Sequence, residues 1–435
     1  MKSLTTSLLV IAIALSSTAQ AAEYLKESIA KDYDENLAEM FVYFHQNPEL
    51  SNLESNTAKR LTEEISALGY DVTQGVGGTG IVAVMKNGPG PTIMIRADMD
   101  GLPIKEDSGL SYASTAMQVD ESGVERPVMH ACGHDVHITA LVGTARQMAE
   151  RSEDWSGTLV LIGQPAEERI SGAHAMMDDG IYDRFPKPDY AVAFHVDADG
   201  PSGKVSIPLD IVASSSDSVD IIVHGVGTHG AAPHMGIDPV LIASQIVVSL
   251  QSVVSRTIAP LSAGVITVGA IHGGTKHNII GDKVEMQLTV RSDDPNVRTE
   301  LLDGIDRVAR GVAISMGVPE DKMPEVIRSQ VETTPPTIND TETAALVLAA
   351  VSGEMGEDNM YALPREGMGA EDFSYFVQPE TGVKGVYFSV GGTPESELGT
   401  QPSHHSPFFK IEPEPSIKAG IEATVISAMT LFNEE

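Results

Sequence analysis

Met129-His130-Ala131-Cys132-Gly133-His134-Asp135-Val136-His137-Ile138-Thr139 is the stretch from which the rest of this 435-residue chain is best read, and it holds the only cysteine. Cys132 and His134 stand two apart with Gly133 between them, so both side chains can turn toward one point with no bulky neighbour in the way. Thiolate and imidazole are preferred ligands of zinc. Ile138, Leu141, Val142, Ala145 and Met148 then recur at helical spacing, which predicts a loop entering a helix, with Asp135 as its N-cap or as a carboxylate behind a ligand. A lone cysteine is most often a small buried hydrophobe. Three histidines within five residues of this one, His130, His134 and His137, favour a metal site.

Toward the N-terminus, Lys2, the apolar run Leu8 to Leu15 and Ala19-Gln20-Ala21 form the pattern of an export signal, with cleavage expected after Ala21. The run is too short to span a bilayer, and no later uninterrupted apolar stretch reaches roughly 20 residues. The expected product is therefore a soluble periplasmic or secreted protein, without a membrane partner once residues 1–21 are removed. An oxidising compartment favours disulfides, but a single cysteine forms none within the chain, which leaves metal ligation as the best use of an exported thiol. The mature length of about 414 residues exceeds what one core usually organises, so two domains are expected. With 28 Lys and Arg against 61 Asp and Glu the net charge is −33, which makes nucleic acid and anionic membranes poor partners. Solubility is the simplest reading of that acidity.

Tyr24 to Gln46 and Ser55 to Leu68 read as amphipathic helices, the second opened by Ser55 as cap. Gly80 to Met85 and Thr92 to Ala97 are β-rich runs around the turn Asn87-Gly88-Pro89-Gly90, and Thr158 to Gly163 and Tyr190 to His195 are further strands. Gly75, Gly77 and Gly80 fit a dinucleotide-binding glycine pattern, but here a strand follows them and no helix opens, so they read as a flexible turn. Three strands run into potential ligands: Arg96-Ala97-Asp98-Met99-Asp100, Gln164-Pro165-Ala166-Glu167-Glu168, and His195. Open α/β sheets place their sites at such carboxyl ends. Adjacent glutamates point in different directions, which suits one to metal and the other to proton transfer, although a solvated acidic loop would look the same. Ser403-His404-His405-Ser406-Pro407 supplies another candidate. Cys132, His134, Glu168, His195 and His405 together exceed the needs of one tetrahedral zinc, so two divalent metals are expected.

Residues 216–330 change character. Strand Val219 to His224, helix Asp238 to Arg256, strands Gly264 to Ile271 and Lys283 to Arg291, helix Pro295 to Met316 and a short strand near Val326 give β-α-β-β-α-β, a ferredoxin-like order. Helix-rich sequence returns from Ile338, so this domain interrupts another, made of residues 22–215 and 331–435, with hinges at Ser214-Ser215-Ser216 and Thr333-Thr334-Pro335-Pro336.

Taken together, Arg96-Ala97-Asp98-Met99-Asp100-Gly101-Leu102-Pro103, His130-Ala131-Cys132-Gly133-His134-Asp135, Gln164-Pro165-Ala166-Glu167-Glu168 and Gly230-Ala231-Ala232-Pro233-His234 resemble the metal-dependent aminoacylase/carboxypeptidase family. The nearest branch contains hippurate hydrolases, N-acyl-amino-acid amidohydrolases and indoleacetyl-amino-acid hydrolases. The resemblance implies an α/β fold: a dinuclear-metal catalytic domain with a central mixed sheet, interrupted by a smaller α+β dimerisation and lid domain, in a homodimer. It implies that Cys132 bridges two divalent metals (zinc, or manganese, cobalt or nickel), with His134, Glu168, His195 and His405 completing their shells. Glu167 would be general base and acid for a metal-activated water, Asp98 would orient the ligands, and His229 would reach the site of a partner subunit. Asn278 and Arg291 match positions that bind the carboxylate of the substrate, an N-acyl-amino acid or dipeptide. Gly281 departs from the family, which has proline there. A periplasmic solute-binding protein would share the signal and the two domains but has no use for paired glutamates beside metal ligands, and an inactive family member would not keep every matched position filled.

Overall fold

Two patterns of burial separate the strands of this protein. In Thr92–Asp98, Gly157–Gln164 and Lys384–Thr393 nearly every residue is buried, as in strands covered on both faces. In Lys283–Ser292 exposed and buried residues alternate, as in a sheet with one face covered. The two kinds belong to two compact units of the computed structural model, which describes residues 23–362 and 365–434. The signal expected over residues 1–21 lies outside them.

The first unit begins with a helical run over residues 23–46, which passes through a π-helical turn at Tyr33–Leu37 and closes as α1 (Ala38–Gln46), followed by α2 (Ser55–Ser66), β1 (Asp71–Val76), β2 (Gly80–Asn87) and β3 (Thr92–Asp98). It continues through α3 (His134–Glu150), β4 (Gly157–Gln164), β5 (Tyr190–Pro201) and the short β6 (Val205–Ser206). The second unit holds β7 (Ser216–His224), α4 (Pro239–Ser252), β8 (Gly264–Gly273), β9 (Lys283–Ser292), α5 (Pro295–Ser315) and β10 (Glu325–Thr334). The chain then returns to the first unit with α6 (Thr341–Met355), β11 (Lys384–Thr393) and α7 (Pro413–Phe432).

Strands of the first unit form a mixed sheet in the order β1-β2-β4-β3-β5-β11-β6. β4, β3, β5 and β11 are parallel, with antiparallel strands at both edges. The register sets Asp98 opposite Gln164 and Arg96 opposite Ala193, so β3, β4 and β5 deliver their carboxyl-end side chains to one place. α3 and α7 are buried all round, as a helix enclosed by a core must be. Their approach depends on Gly143, where a Cβ would lie 2.3 Å from Ile421 Cδ1 and 2.9 Å from Leu37 Cδ1.

Three local expectations need correction. Ser55 is the first residue of α2 but does not cap it; Glu49 accepts from the N–H groups of Asn56 and Thr57 at 3.2 and 2.8 Å instead. A strand, β1, does precede the glycines at 75–80, yet it pairs antiparallel with β2 through a turn at Gly77 and Gly78 (φ 63° and 106°), so no helix opens there to hold a phosphate. β5 does not end at His195: pairing with β11 carries it on to Pro201.

In the second unit the antiparallel order β8-β9-β7-β10, with α4 and α5 packed through Ile242, Ile246, Leu250, Leu301, Ile305 and Ala309, makes the ferredoxin-like arrangement. Both helices open on an aspartate cap followed by proline: Asp238 accepts from Val240 and Leu241, Asp294 from Asn296 and Val297. The unit is wider than 216–330, taking in Ala213–Ile338 and Arg365–Ser374. Ser214 N–H donates to Gly369 O at 2.7 Å, Arg365 pairs with Asp293 at 3.0 Å, and the Thr334 and Ser374 hydroxyls meet at 2.8 Å, which draws the later segment in. α4 with its continuation to Thr257 has the length and apolarity of a membrane-crossing helix, although its sequence is broken by Ser244, Gln245, Ser249 and Gln251. The fold class is α/β, with a mixed sheet interrupted by a smaller α+β unit.

Candidate metal centre

Gly133 sits immediately before α3 with φ 85°, and a Cβ there would lie 2.3 Å from Val196 Cγ1. Glycine is thus required both for the left-handed backbone and for the close approach. The turn directs Cys132 and His134 inward. His134 donates from Nδ1 to Asp100 O at 2.9 Å, which leaves Nε2 as the lone-pair nitrogen, 3.8 Å from Glu167 Oε2 and 4.0 Å from Glu168 Oε1. His195 donates from Nδ1 to Val196 O at 2.7 Å and turns Nε2 to Cys132 Sγ at 3.4 Å. His405, at φ 63°, donates its backbone N–H to Ala131 O at 2.8 Å and holds Nε2 3.3 Å from Glu168 Oε2. Donor atoms of three groups, Cys132-His134-His195, Cys132-Glu168-His405 and His134-Glu167-Glu168, each lie within 4.8 Å of one another.

Other side chains hold this cluster. Asp98 is fully buried between Arg96 Nη1 at 2.6 Å and His137 Nδ1 at 2.5 Å. His137 accepts the Val196 N–H on Nε2 at 2.8 Å, so both its nitrogens are committed and it is no ligand. Asp100 accepts from Ser51 Oγ at 2.6 Å and from the Glu168 N–H at 3.1 Å, while its carbonyl orients His134. The sequence counts Asp100 and His137 only among potential ligands, and their part in holding the ligands has its signal in spacing: Asp98 and Asp100 are two apart on an extended segment, His134 and His137 three apart on a helix, and each pair shares a face. His404 spends Nε2 on the Ala198 N–H at 3.0 Å, so of the two adjacent histidines His405 is the one that faces Glu168. Ahead of Glu167 the backbone is strained, with Ala166 at φ 49°, its N–H held by Glu54 Oε1 at 2.8 Å.

The electrostatics call for a cation. Burial works against a charged His134, yet Asp98, the hydrogen bond to Asp100 and the charges of Asp100 and Glu168 push its pKa up to about 10. Burial, then Glu168 and Glu167, drive the Cys132 thiol up. Asp98 goes the other way: burial is outweighed by Arg96 and then by His134 and His137, which hold it well below the usual carboxylate range. Burial brings His130 down to about 4 and His137 to about 3.

Asp135 turns out to be neither cap nor ligand support. Its Oδ2 pairs with His45 Nδ1 at 2.7 Å, and His45 Nε2 meets Glu106 Oε1 at 3.1 Å, a buried acid-histidine-acid cluster that no spacing suggests. His229, Asn278 and Arg291 belong to the second unit. His229 is exposed, with Nδ1 accepting the Ala231 N–H at 3.0 Å. Asn278 O accepts the Gly230 N–H at 2.8 Å, which ties the two loops together. Arg291, half-buried, donates to Thr289 Oγ1 at 3.1 Å. Gly281 follows the short strand Ile279–Ile280 with an ordinary backbone and nothing within 4 Å of a notional Cβ, so the loop does not depend on glycine there.

His134 Nε2 and Glu168 Oε1 are both buried without a hydrogen-bond partner, and they face each other. Such a pair is costly unless a third group satisfies both, and imidazole, thiolate and carboxylate donors in this number fit a divalent cation. Fold and site together define a metal-dependent hydrolase of amide or peptide bonds. Residues 94–429 match peptidase family M20/M25/M40, and the chain belongs to that family. It is 33% identical over 419 residues to thermostable carboxypeptidase 2 of Saccharolobus solfataricus, covering 95% of this chain and 99% of the relative. To the hippurate hydrolase of Campylobacter jejuni it is 35% identical over 335 residues, 77% of this chain and 83% of the other. The crystal structure of a Bacillus subtilis dinuclear metal binding peptidase from the M20 family matches with a TM-score of 0.74 at 26% identity, over 92% of this chain and 98% of that one.

Proposed function

We propose that this protein is an exported amidohydrolase that holds two divalent cations and cleaves N-acyl-amino acids, or dipeptide-like substrates with a free carboxylate, as a homodimer. The observation that carries the reading is the buried carboxylate of Glu167 beside the unsatisfied His134 Nε2 and Glu168 Oε1. Cys132 belongs to two ligand groups, one with His134 and His195 and one with Glu168 and His405, so these five residues would hold the two cations. Zinc suits this donor set, and manganese, cobalt or nickel can use it. Bound there, the cations supply Lewis acidity and make a water acidic enough to ionise near neutral pH. Glu167 takes the proton of the attacking water and passes it to the leaving amine. His229 accepts on Nδ1, so its neutral ring carries the proton on Nε2, a donor suited to the oxyanion. Arg291 and Asn278 are the partners for the substrate carboxylate. Export rests on Lys2, Leu8 to Leu15 and Ala19-Gln20-Ala21.

Metal-loaded enzyme should hydrolyse hippurate or a related acyl-amino acid and lose that activity to a chelator. Glu167→Gln should keep its metal and lose at least about a thousandfold in kcat, whereas Glu168→Gln should lose metal. An empty Glu167→Gln and a full Glu168→Gln on metal analysis would reverse the two roles.

A further inference from the structure

A cleft of about 570 Å³ in the first unit opens at Glu168. Its floor is apolar: Leu50 and Leu53 from the turn between α1 and α2, Leu102 and Pro103 from the loop after β3. Backbone bonds fix both segments, Gly101 N–H to Glu49 O at 2.7 Å and Leu102 N–H to Met129 O at 2.9 Å, so the floor is continuous with the chain leading to Cys132. The outer wall is a hairpin, Met117–Val119 against Glu125–Pro127. One side chain fastens it: Gln118 accepts the Leu50 N–H on Oε1 at 2.6 Å and donates from Nε2 to Leu53 O at 3.1 Å.

The rim decides which half of a substrate belongs here. Arg126 is paired with Asp120 at 2.9 Å and Arg169 with Glu121 at 2.7 Å. Each arginine that lines the cleft therefore already has its carboxylate, so neither is left free to receive a substrate carboxylate. What the floor can take is the half without one.

Resting on the function proposed above, we infer that this cleft binds the acyl group of the substrate, an alkyl or aryl acyl group larger than acetyl, and that Leu53 and Leu102 set its size limit. With the amino acid held constant, kcat/KM of metal-loaded enzyme should climb along N-acetyl, N-butanoyl, N-hexanoyl and N-octanoyl substrates. Burial of apolar surface predicts about fourfold per methylene until the cleft is full. Leu53→Trp and Leu102→Trp should lower the octanoyl-to-acetyl ratio at least tenfold. Leu53→Ala, which removes bulk and spares the fold if the tryptophans do not, should extend the climb to longer chains. Preference among amino acids, measured with one acyl group, should not follow these changes. A flat acyl series, or variants that shift amino-acid preference instead, would overturn the assignment while leaving the amidohydrolase reading intact. No turnover of any acyl-amino acid would overturn both.

Discussion

Helices α3 and α5 begin in opposite ways. α5 opens on Asp294, whose side chain accepts from Asn296 and Val297, followed by Pro295 with its preset backbone. α3 opens on a left-handed Gly133 with no side-chain cap, and its first residue, His134, aims a buried nitrogen at Glu168. The acid in its first turn, Asp135, accepts only from its neighbour Val136 and pairs with His45. The contrast extends to the units that contain them. Among the described residues, the non-glycine positions with positive φ, Asn52, Ala166, Ile170 and His405, all fall in the first unit. The buried polar atoms without a hydrogen-bond partner also fall, among the described residues, in the unit that carries the chemistry, and the second unit keeps to the rules that make a stable element.

His229 is the residue most able to break this division, since it would carry the well-behaved unit into the chemistry of another copy. A Glu167→Ala chain and a His229→Ala chain should each be nearly inactive. In the proposed homodimer, co-expression would make about half the pairs mixed with one of their two sites whole, so roughly a quarter of wild-type activity should return. Mixed dimers as inactive as their parents would confine His229 to its own subunit.

The His45 cluster offers a pH test. Burial opposes its charge, but the hydrogen bonds it donates to Asp135 and Glu106 raise its pKa to about 9. A raised folded-state pKa stabilises fully below the ordinary value of about 6.5 and is lost as pH rises through about 9, a contribution of at most on the order of 3 kcal/mol. Thermal unfolding from pH 6 to 9.5 should show wild type losing more stability over that window than His45→Gln; parallel curves would remove the cluster from the stability of α3. Gly133→Ala adds both left-handed strain and a Cβ against Val196, and should cost about 2 kcal/mol in unfolding experiments and weaken metal binding. Asp294→Ala removes only a cap: about 1 kcal/mol in the same experiment, with kcat unchanged. Equal metal loss in both variants would erase the contrast between the two helix starts.

The same contrast explains what could be read in advance. β-α-β-β-α-β in the second unit was legible because each element announces itself locally, by alternation in β9 and by Asp-Pro starts in α4 and α5. Cys132, His134 and the Glu167-Glu168 pair were legible from residue type and from resemblance. What stayed hidden depends on distant partners. Glu49 caps α2 from outside the helix, β1 has the polar sequence of an edge strand, and Val196-Asp197-Ala198-Asp199-Gly200-Pro201 looks like a loop until β11 pairs with it.

The interruption of one unit by another also has a consequence in time. A chain delivered from its N-terminus, by a ribosome or through a membrane, releases β7 to β10 as one continuous run, with Arg365–Ser374 close behind. The first unit has to wait. Ile421 of α7 fills the groove at Gly143 of α3, and Gly420 lies against Phe194 of β5, so neither the helix that starts at the metal residues nor the strand that carries His195 is enclosed until α7 has emerged. The smaller, uninterrupted core can therefore be complete while Cys132 and His134, made earlier, still stand on an unfinished scaffold.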